Sequence, residues 1–214
     1  EKERTFHKGS FVGEMCAEAR DSARRFQLPF TRFGIPKPPG SARLRAVQSL
    51  LAGKSLVVIG GTTGLGLSAA RAFVEAGARV VVVGRNPAGV DAAAAFLGED
   101  GRAFSGDACE PETAPRAIAE AIAAFGKLDG LYHVAGGSGR RLGDGPLHAL
   151  TDEGWRATLD LDLTSLMFSN RAAVRQFLAQ GGGGSILNMG SVLGWSPSPR
   201  HFSTHAYATA KAAL

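Results

Sequence analysis

Two runs of consecutive apolar, mostly β-branched residues dominate the pattern along the chain: Leu56-Val57-Val58-Ile59 and Val80-Val81-Val82-Val83. A strand with one face in water alternates with period two, so an unbroken apolar run predicts a strand covered on both faces. Residues 103–105, 130–134 and 185–189 read as three further, shorter strands. Helical spacing fills the intervals. It predicts helices over 64–76, 88–97 and 111–125, the last with Pro111 in its first turn and Gly126 after its end. A long helical stretch, 151–180, opens on the acidic Thr151-Asp152-Glu153, and another helix starts near His205. Strands alternating with helices predict an α/β fold: a doubly wound parallel sheet with helices on both faces.

The first 50 residues do not follow this pattern. They hold 10 of the 24 Lys and Arg, five of the 19 Asp and Glu, and five of the 12 Phe, with a Gly34-Ile35-Pro36-Lys37-Pro38-Pro39-Gly40 stretch that reads as a linker or extended arm. Residues 43–52 could form a short helix leading into the body. The expected organisation is therefore a basic N-terminal arm, 1–50, and a body, 51–214. The net charge of +5 belongs to the arm, while the body is neutral. Acidic residues interleave the basic ones (Glu1, Glu3, Glu14, Glu18, Asp21), so a solvated surface is expected, with no nucleic-acid partner. No apolar run reaches membrane-spanning length. Two cysteines, Cys16 and Cys109, make no disulfide framework, and the cytoplasm is the expected compartment.

The first strand is followed by Gly60-Gly61-Thr62-Thr63-Gly64-Leu65-Gly66. Glycines after a strand and before a helix let the backbone turn tightly and approach a pyrophosphate, which then faces the N-terminal amides of the helix. No Lys-Ser/Thr follows, which excludes a P-loop. Gly60, Thr62, Thr63, Gly64, Leu65 and Gly66 are thus expected in a Rossmann-type dinucleotide site. NAD sites commonly place an acid at the end of the second strand to hold the ribose hydroxyls. Here Gly84-Arg85-Asn86 stands there, and Arg85 can pair with a 2′-phosphate, which favours NADP(H) over NAD(H).

Tyr207 and Lys211 lie four residues apart and share one face of a helix. A fixed positive charge near a phenol stabilises the phenolate, and such a tyrosine can exchange a proton with a carbonyl or alcohol oxygen. Ser191, just past the fifth strand, can hydrogen-bond the same oxygen. His201 and His205 lack a third partner, and prolines interrupt any helix joining them, so no metal site is expected. Arg140 and Arg141 read as a solvated loop, with an acidic substrate as the alternative. Asp160 and Asp162 face apart on a helix. Trp155 and Trp195 are expected to be packing groups.

In this order, these features resemble the short-chain dehydrogenase/reductase family, its single-domain subgroup, over about residues 51–214. Residues 59–66 resemble the family's TGxxxGxG loop with Ile59 in place of Thr, and Ser191, Tyr207 and Lys211 match its catalytic Ser and YxxxK. His133-Val134-Ala135-Gly136 stands at its NNAG, keeping Ala135 and Gly136 and lacking both asparagines. The resemblance implies that Asp107, with Ala108 beside it, holds the adenine. It implies that Tyr207 is the general acid/base, that Lys211 holds the nicotinamide ribose and tunes Tyr207, and that Ser191 polarises the carbonyl. The Asn that supports a proton-relay water in the family falls at Asp162. An ionised carboxylate accepts but does not donate, so an altered relay is expected.

The expected function is an NADP(H)-dependent oxidoreductase moving hydride between nicotinamide and a small carbonyl or alcohol substrate. The alternative is an NADP(H)-binding module with weak or no turnover. The resemblance also implies a homodimer or homotetramer joined through long helices such as 151–180, and a body that is incomplete at its C-terminal end.

Overall fold

The computed structural model describes residues 50–198 and 200–214. Nearly all of the arm, and most of the short helix expected at 43–52, lie outside the described residues. Five strands form one parallel sheet in the order β3-β2-β1-β4-β5: β1 Ser55–Ile59, β2 Arg79–Gly84, β3 Gly101–Ser105, β4 Gly130–His133 and β5 Ser185–Asn188. The helices are α1 Gly64–Glu75, α2 Pro87–Leu97, α3 Thr113–Phe125, α4 Asp152–Leu159, α5 Ser165–Ala179 and α6 His205–Ala213.

Register fixes which side chains face which layer. Val57 stands beside Val81 and Leu131, and Val58 beside Val82 and Tyr132. With a side-chain period of two, alternate residues serve opposite faces. Val57, Ile59, Val81, Val83 and Leu131 pack on Ala117, Ile118 and Phe125 of α3 and on Ala173 and Phe177 of α5. Val58, Val80, Val82 and Tyr132 pack on Ala70 of α1 and on Ala93 and Leu97 of α2. Both faces of the central strands are covered, which is why the valine run of β2 carries no polar alternation.

Three expectations need correction. Helix α3 begins at Thr113 rather than at residue 111. The amides of Glu110 and Thr113 donate to the carbonyls of Asp107 and Glu110, closing turns that take up Pro111, and Pro115 is the proline of the first helical turn. Strand β3 starts at Gly101, which pairs with Val80. A side chain there would collide with Leu97, so glycine is the residue that brings α2 against the strand. The 151–180 stretch is helical but not one α-helix: residues Asp160–Thr164 form a π-turn between α4 and α5. Strands β3 and β5 form the two edges of the sheet among the described residues, and Ser185 and Leu187 of β5 are exposed.

The chain winds from β1 outward to β3, returns to β4, and continues to β5 on the other side. The reversal of direction lies between β1 and β4. Such a switch point opens a crevice at the carboxyl ends of the strands.

Candidate active site and dinucleotide cleft

A cleft of about 450 Å³ opens at that switch point. It is lined by the loop after β1, the end of β2 through Asn86, Gly106–Ala108 after β3, Val134–Gly136 after β4, and Leu161. Gly60, Thr62, Thr63, Gly64, Leu65, Gly66, Arg85, Asp107, Ala108, Ala135 and Gly136 all stand on this lining. Tyr207 and Lys211 lie beyond it.

The loop takes its shape from backbone proximity. Gly60 has φ +90°, and a Cβ there would lie 2.6 Å from the amide nitrogen of Ala135. A Cβ on Gly66 would strike the carbonyl of Gly60, so the first turn of α1 sits directly beneath the loop. Thr63 occupies the N-cap of α1 without a side-chain cap hydrogen bond, and the first turn contains no acidic residue. The leading amides of α1 are therefore left for an anion. Arg85 Nη1 lies 3.8 Å from Asp107 Oδ2, with both side chains partly in solvent. Asp107 Oδ1 accepts a hydrogen bond from the amide of Cys109. Burial, and next to it Asp107, pushes the Cys109 thiol up to about 11, which keeps it protonated and poorly nucleophilic.

Beyond the cleft, α6 carries Tyr207 and Lys211 on one face, with Lys211 Nζ 5.6 Å from the centre of the Tyr207 ring. The Lys211 side chain is buried. Its Nζ donates to the Met189 carbonyl at 3.0 Å and forms an ion pair with Asp162 Oδ1 at 3.2 Å. Asp162 is completely buried, and the same Oδ1 accepts from the amide of Gly137 at 3.1 Å. Burial holds its carboxyl above the usual range, while the Lys211 charge and the Gly137 amide pull the other way. Gly136 closes over the pair: a Cβ there would lie 2.6 Å from Asp162 Oδ1 and 3.4 Å from Lys211 Nζ. This contact joins the cleft to the Tyr-Lys pair.

Ser191 is half-buried, and its Oγ accepts from the amide of Leu193, capping the short turn Val192–Gly194. Asp160 lies on the opposite side of the π-turn from Asp162. It is exposed and accepts from Thr164 Oγ1. Arg140 is exposed, donates to the His201 carbonyl at 3.3 Å and lies over the Phe202 ring; Arg141 is exposed. His205 Nδ1 lies 2.9 Å from the Gly145 carbonyl. Trp155 is partly exposed and Trp195 is 80% exposed. The expectation that Trp195 packs is therefore corrected: it ends the short turn Val192–Gly194 with its side chain in solvent.

Two residues escaped the sequence reading. Asp144 is buried, and its two carboxylate oxygens accept from the amides of Ala206 (3.0 Å) and Tyr207 (2.9 Å). It caps α6 from a distant loop, where Thr204, the N-cap residue, makes no side-chain cap bond. His133 is buried between Ser169 Oγ (2.9 Å) and Ser165 Oγ (3.3 Å), and burial lowers its pKa to about 4. An acid set between two glycines looks like part of a solvated loop, so nothing local marked Asp144. His133 was visible only as an odd residue at the family's NNAG.

The sequence model of the short chain dehydrogenase family matches residues 54–214. The chain belongs to that family. Among similar family members is momilactone A synthase of Oryza sativa subsp. japonica, 33% identical over 179 residues, covering 82% of this chain and 62% of that protein. Another is L-rhamnose 1-dehydrogenase (NAD(P)(+)) of Azotobacter vinelandii, 32% identical over 153 residues, covering 67% and 57%. The chain thus spans less than two thirds of the length of these relatives. A crystal structure of a short chain dehydrogenase from Mycobacterium smegmatis superposes with a TM-score of 0.69 at 33% identity, covering 77% of this chain and 68% of that one. Among the described residues of this family member, no helix is long and apolar enough to cross a membrane, and no group of three or more His, Cys, Asp or Glu side chains is placed to hold a metal.

Proposed function

We propose that the protein is an NADP(H)-dependent oxidoreductase that interconverts a carbonyl and an alcohol on a small molecule. The observation that carries this reading is the Tyr207–Lys211 pair, fixed on one face of α6 beside a glycine-lined cleft at the switch point of the sheet. The residues present fit a nicotinamide dinucleotide. The uncapped start of α1 suits its pyrophosphate, Asp107 and Ala108 border the adenine end, and Ala135 and Gly136 lead toward Lys211. Bound there, a nicotinamide supplies the hydride donor or acceptor.

The chain's own residues handle the proton. In the reducing direction Tyr207 gives its phenolic proton to the substrate oxygen, and Ser191 donates a hydrogen bond to the same oxygen. The resulting phenolate recovers a proton from solvent. In the oxidising direction the phenolate accepts the hydroxyl proton. Lys211 sits where it can hold the ribose and face the phenol, and Asp162 acts on Lys211. Arg85 with no acid at the end of β2 supports NADP(H) over NAD(H), with Asp107 as its competitor for the guanidinium. Met167, Val174 and Leu178 are exposed along α5, which supports association of copies through that helix. A free Cys109 is in keeping with a cytoplasmic setting.

One observation favours a second reading, a cofactor-binding module with little turnover. Lys211 is already ion-paired to a buried carboxylate where the family carries a neutral amide. The two readings separate in one experiment. A panel of small ketones and aldehydes is offered with NADPH, and oxidation is followed by absorbance, with Tyr207→Phe alongside. The oxidoreductase reading expects turnover that falls at least about a hundredfold in Tyr207→Phe. Tight NADPH binding with no turnover on any member would favour the module, and full activity in Tyr207→Phe would remove Tyr207 from its role.

A further inference from the structure

A lysine that faces a phenol ring normally presents a full positive charge to it. Lys211 does not stand alone. Its ammonium is 3.2 Å from Asp162 Oδ1, the two side chains are 4% and 0% exposed, and the Met189 carbonyl holds a further N–H at 3.0 Å. The carboxylate is itself anchored, because the Gly137 amide donates to the same Oδ1 and the π-turn Asp160–Thr164 fixes the backbone that bears it. The second oxygen, Oδ2, is buried and has no hydrogen-bond partner among the described residues. All of the anchoring of Asp162 therefore runs through one oxygen, and that oxygen points at Lys211.

We propose that Asp162 is a positioning residue that clamps Lys211, so that an ion pair of no net charge, rather than a bare cation, faces the Tyr207 phenol. Charges act strongly across this site because water is excluded from both partners. The clamp has two consequences. It holds the ammonium in one place, between the Met189 carbonyl and Gly136, and it cancels most of the field that the ammonium would exert on the phenolate.

The surrounding groups do not replace that field. His133, on β4, is kept neutral by burial and by the Lys211 charge. Asp144, ahead of α4, lies against the start of α6 and adds negative charge near Asp162. Asp152, Glu153 and Arg156 on α4, Asp160 in the π-turn, and His201 and His205 beside or on α6 are exposed, where solvent screens them. The turn Val192–Gly194, also packed on α6, has no titratable side chain.

The test is a titration of the phenol by its ultraviolet absorbance in the intact 214-residue chain. The chain has two tyrosines, and the Tyr207 transition is assigned by its loss in Tyr207→Phe. Asp162→Asn keeps the shape of the side chain and the oxygen that accepts from Gly137 and Lys211 but removes the charge. The clamp predicts that the Tyr207 midpoint falls by about one pH unit in this variant, and that the alkaline limb of the reduction profile, where the phenol loses the proton it must donate, falls with it. Removing one member of a buried pair is often destabilising, so a second variant decides the matter if the first fails to fold. In Asp162→Asn/Lys211→Met both charges are gone, and the clamp predicts a midpoint within ~0.3 unit of the wild type, because a neutral pair has replaced a pair of no net charge.

An unmoved midpoint in Asp162→Asn overturns the proposal. So does a rise of about one unit or more in the double variant, since that is what losing a bare cation does. The catalytic consequence rests on Tyr207 being the proton donor, but the titration needs neither cofactor nor substrate. A panel without turnover would sink the oxidoreductase reading and leave the clamp standing, whereas a failed titration would sink the clamp alone.

Discussion

Replacing Asp144 with alanine should loosen α6 and displace Tyr207 without touching either Tyr207 or Lys211. The N-cap of helix α6, Thr204, makes no side-chain cap bond, and the first turn contains no acid. The cap comes instead from Asp144, which is 5% exposed and accepts from two leading amides at 3.0 and 2.9 Å. Loss of an N-cap side chain costs about 1 kcal/mol, and a hydrogen bond to a charged group contributes about 1.5–3 kcal/mol. Part of the second contribution is offset by the desolvation of the carboxylate, so a loss of about 2–3 kcal/mol is expected for Asp144→Ala. Asp144→Asn keeps one acceptor but turns an amide N–H toward a backbone donor, and should lose roughly half as much. Urea unfolding gives the global change. Amide hydrogen exchange gives the local one: protection across α6 should fall by about two orders of magnitude, as 1.4 kcal/mol per tenfold requires. If α6 amides exchange within about threefold of the wild-type rate while the fold is intact, the capping argument is wrong.

The remaining predictions concern His133 and Arg85. His133 is held neutral in the folded protein, with its pKa lowered to about 4, whereas in the unfolded chain it titrates near ~6.5. The unfolded state therefore binds the extra proton between these values; the stability from His133 is complete above ~6.5 and falls by about 3 kcal/mol as pH drops to about 4. Urea midpoints measured across that window should show the slope, and His133→Gln should flatten it; a slope that survives the substitution contradicts the assignment. Arg85→Ala should weaken NADPH binding about tenfold and leave NADH binding nearly unchanged, read by fluorescence titration. Tighter binding of NADH than NADPH by the unaltered protein would overturn the preference assigned to Arg85.

Legibility in the sequence followed the range of the interactions involved. The central strands could be read because their burial on both faces leaves a local mark, the valine run of β2. The cleft could be read because a strand, a glycine turn and a helix are contiguous in the chain. The start of β3 could not: Gly101-Arg102 resembles a turn, and only contact with Leu97 shows why glycine is needed inside the strand. The π-turn was hidden because Asp160-Leu161-Asp162-Leu163 offers an ordinary helical face. Asp162 was singled out by resemblance, yet its full burial depends on Lys211, on a helix later in the chain, and on Gly137. Asp144 depends on amides more than 60 residues away. A carboxylate whose partner is remote in the chain is indistinguishable, by sequence, from one facing water.

These remote partners share one purpose in the architecture. Helical stability in a protein comes mostly from packing, so the place of Tyr207 is set by what α6 leans on. Asp144 holds its first turn. Asp162 holds Lys211 one turn beyond Tyr207. Gly194 lets the chain after β5 press on the backbone at Lys211 and Ala212, where a Cβ would lie 2.9 Å from the Lys211 carbonyl carbon. Behind Asp162, Ser165 Oγ donates to the Leu161 carbonyl while facing His133 Nε2, so the buried imidazole braces the π-turn that presents the carboxylate. The supports lie in series from β4 through the π-turn to α6, and a disturbance at His133 reaches Tyr207 by way of Asp162. The acid unfolding expected of His133 should therefore begin as a loss of order at α6 before the sheet gives way, with α6 amides losing protection at a higher pH than those of β1 and β2.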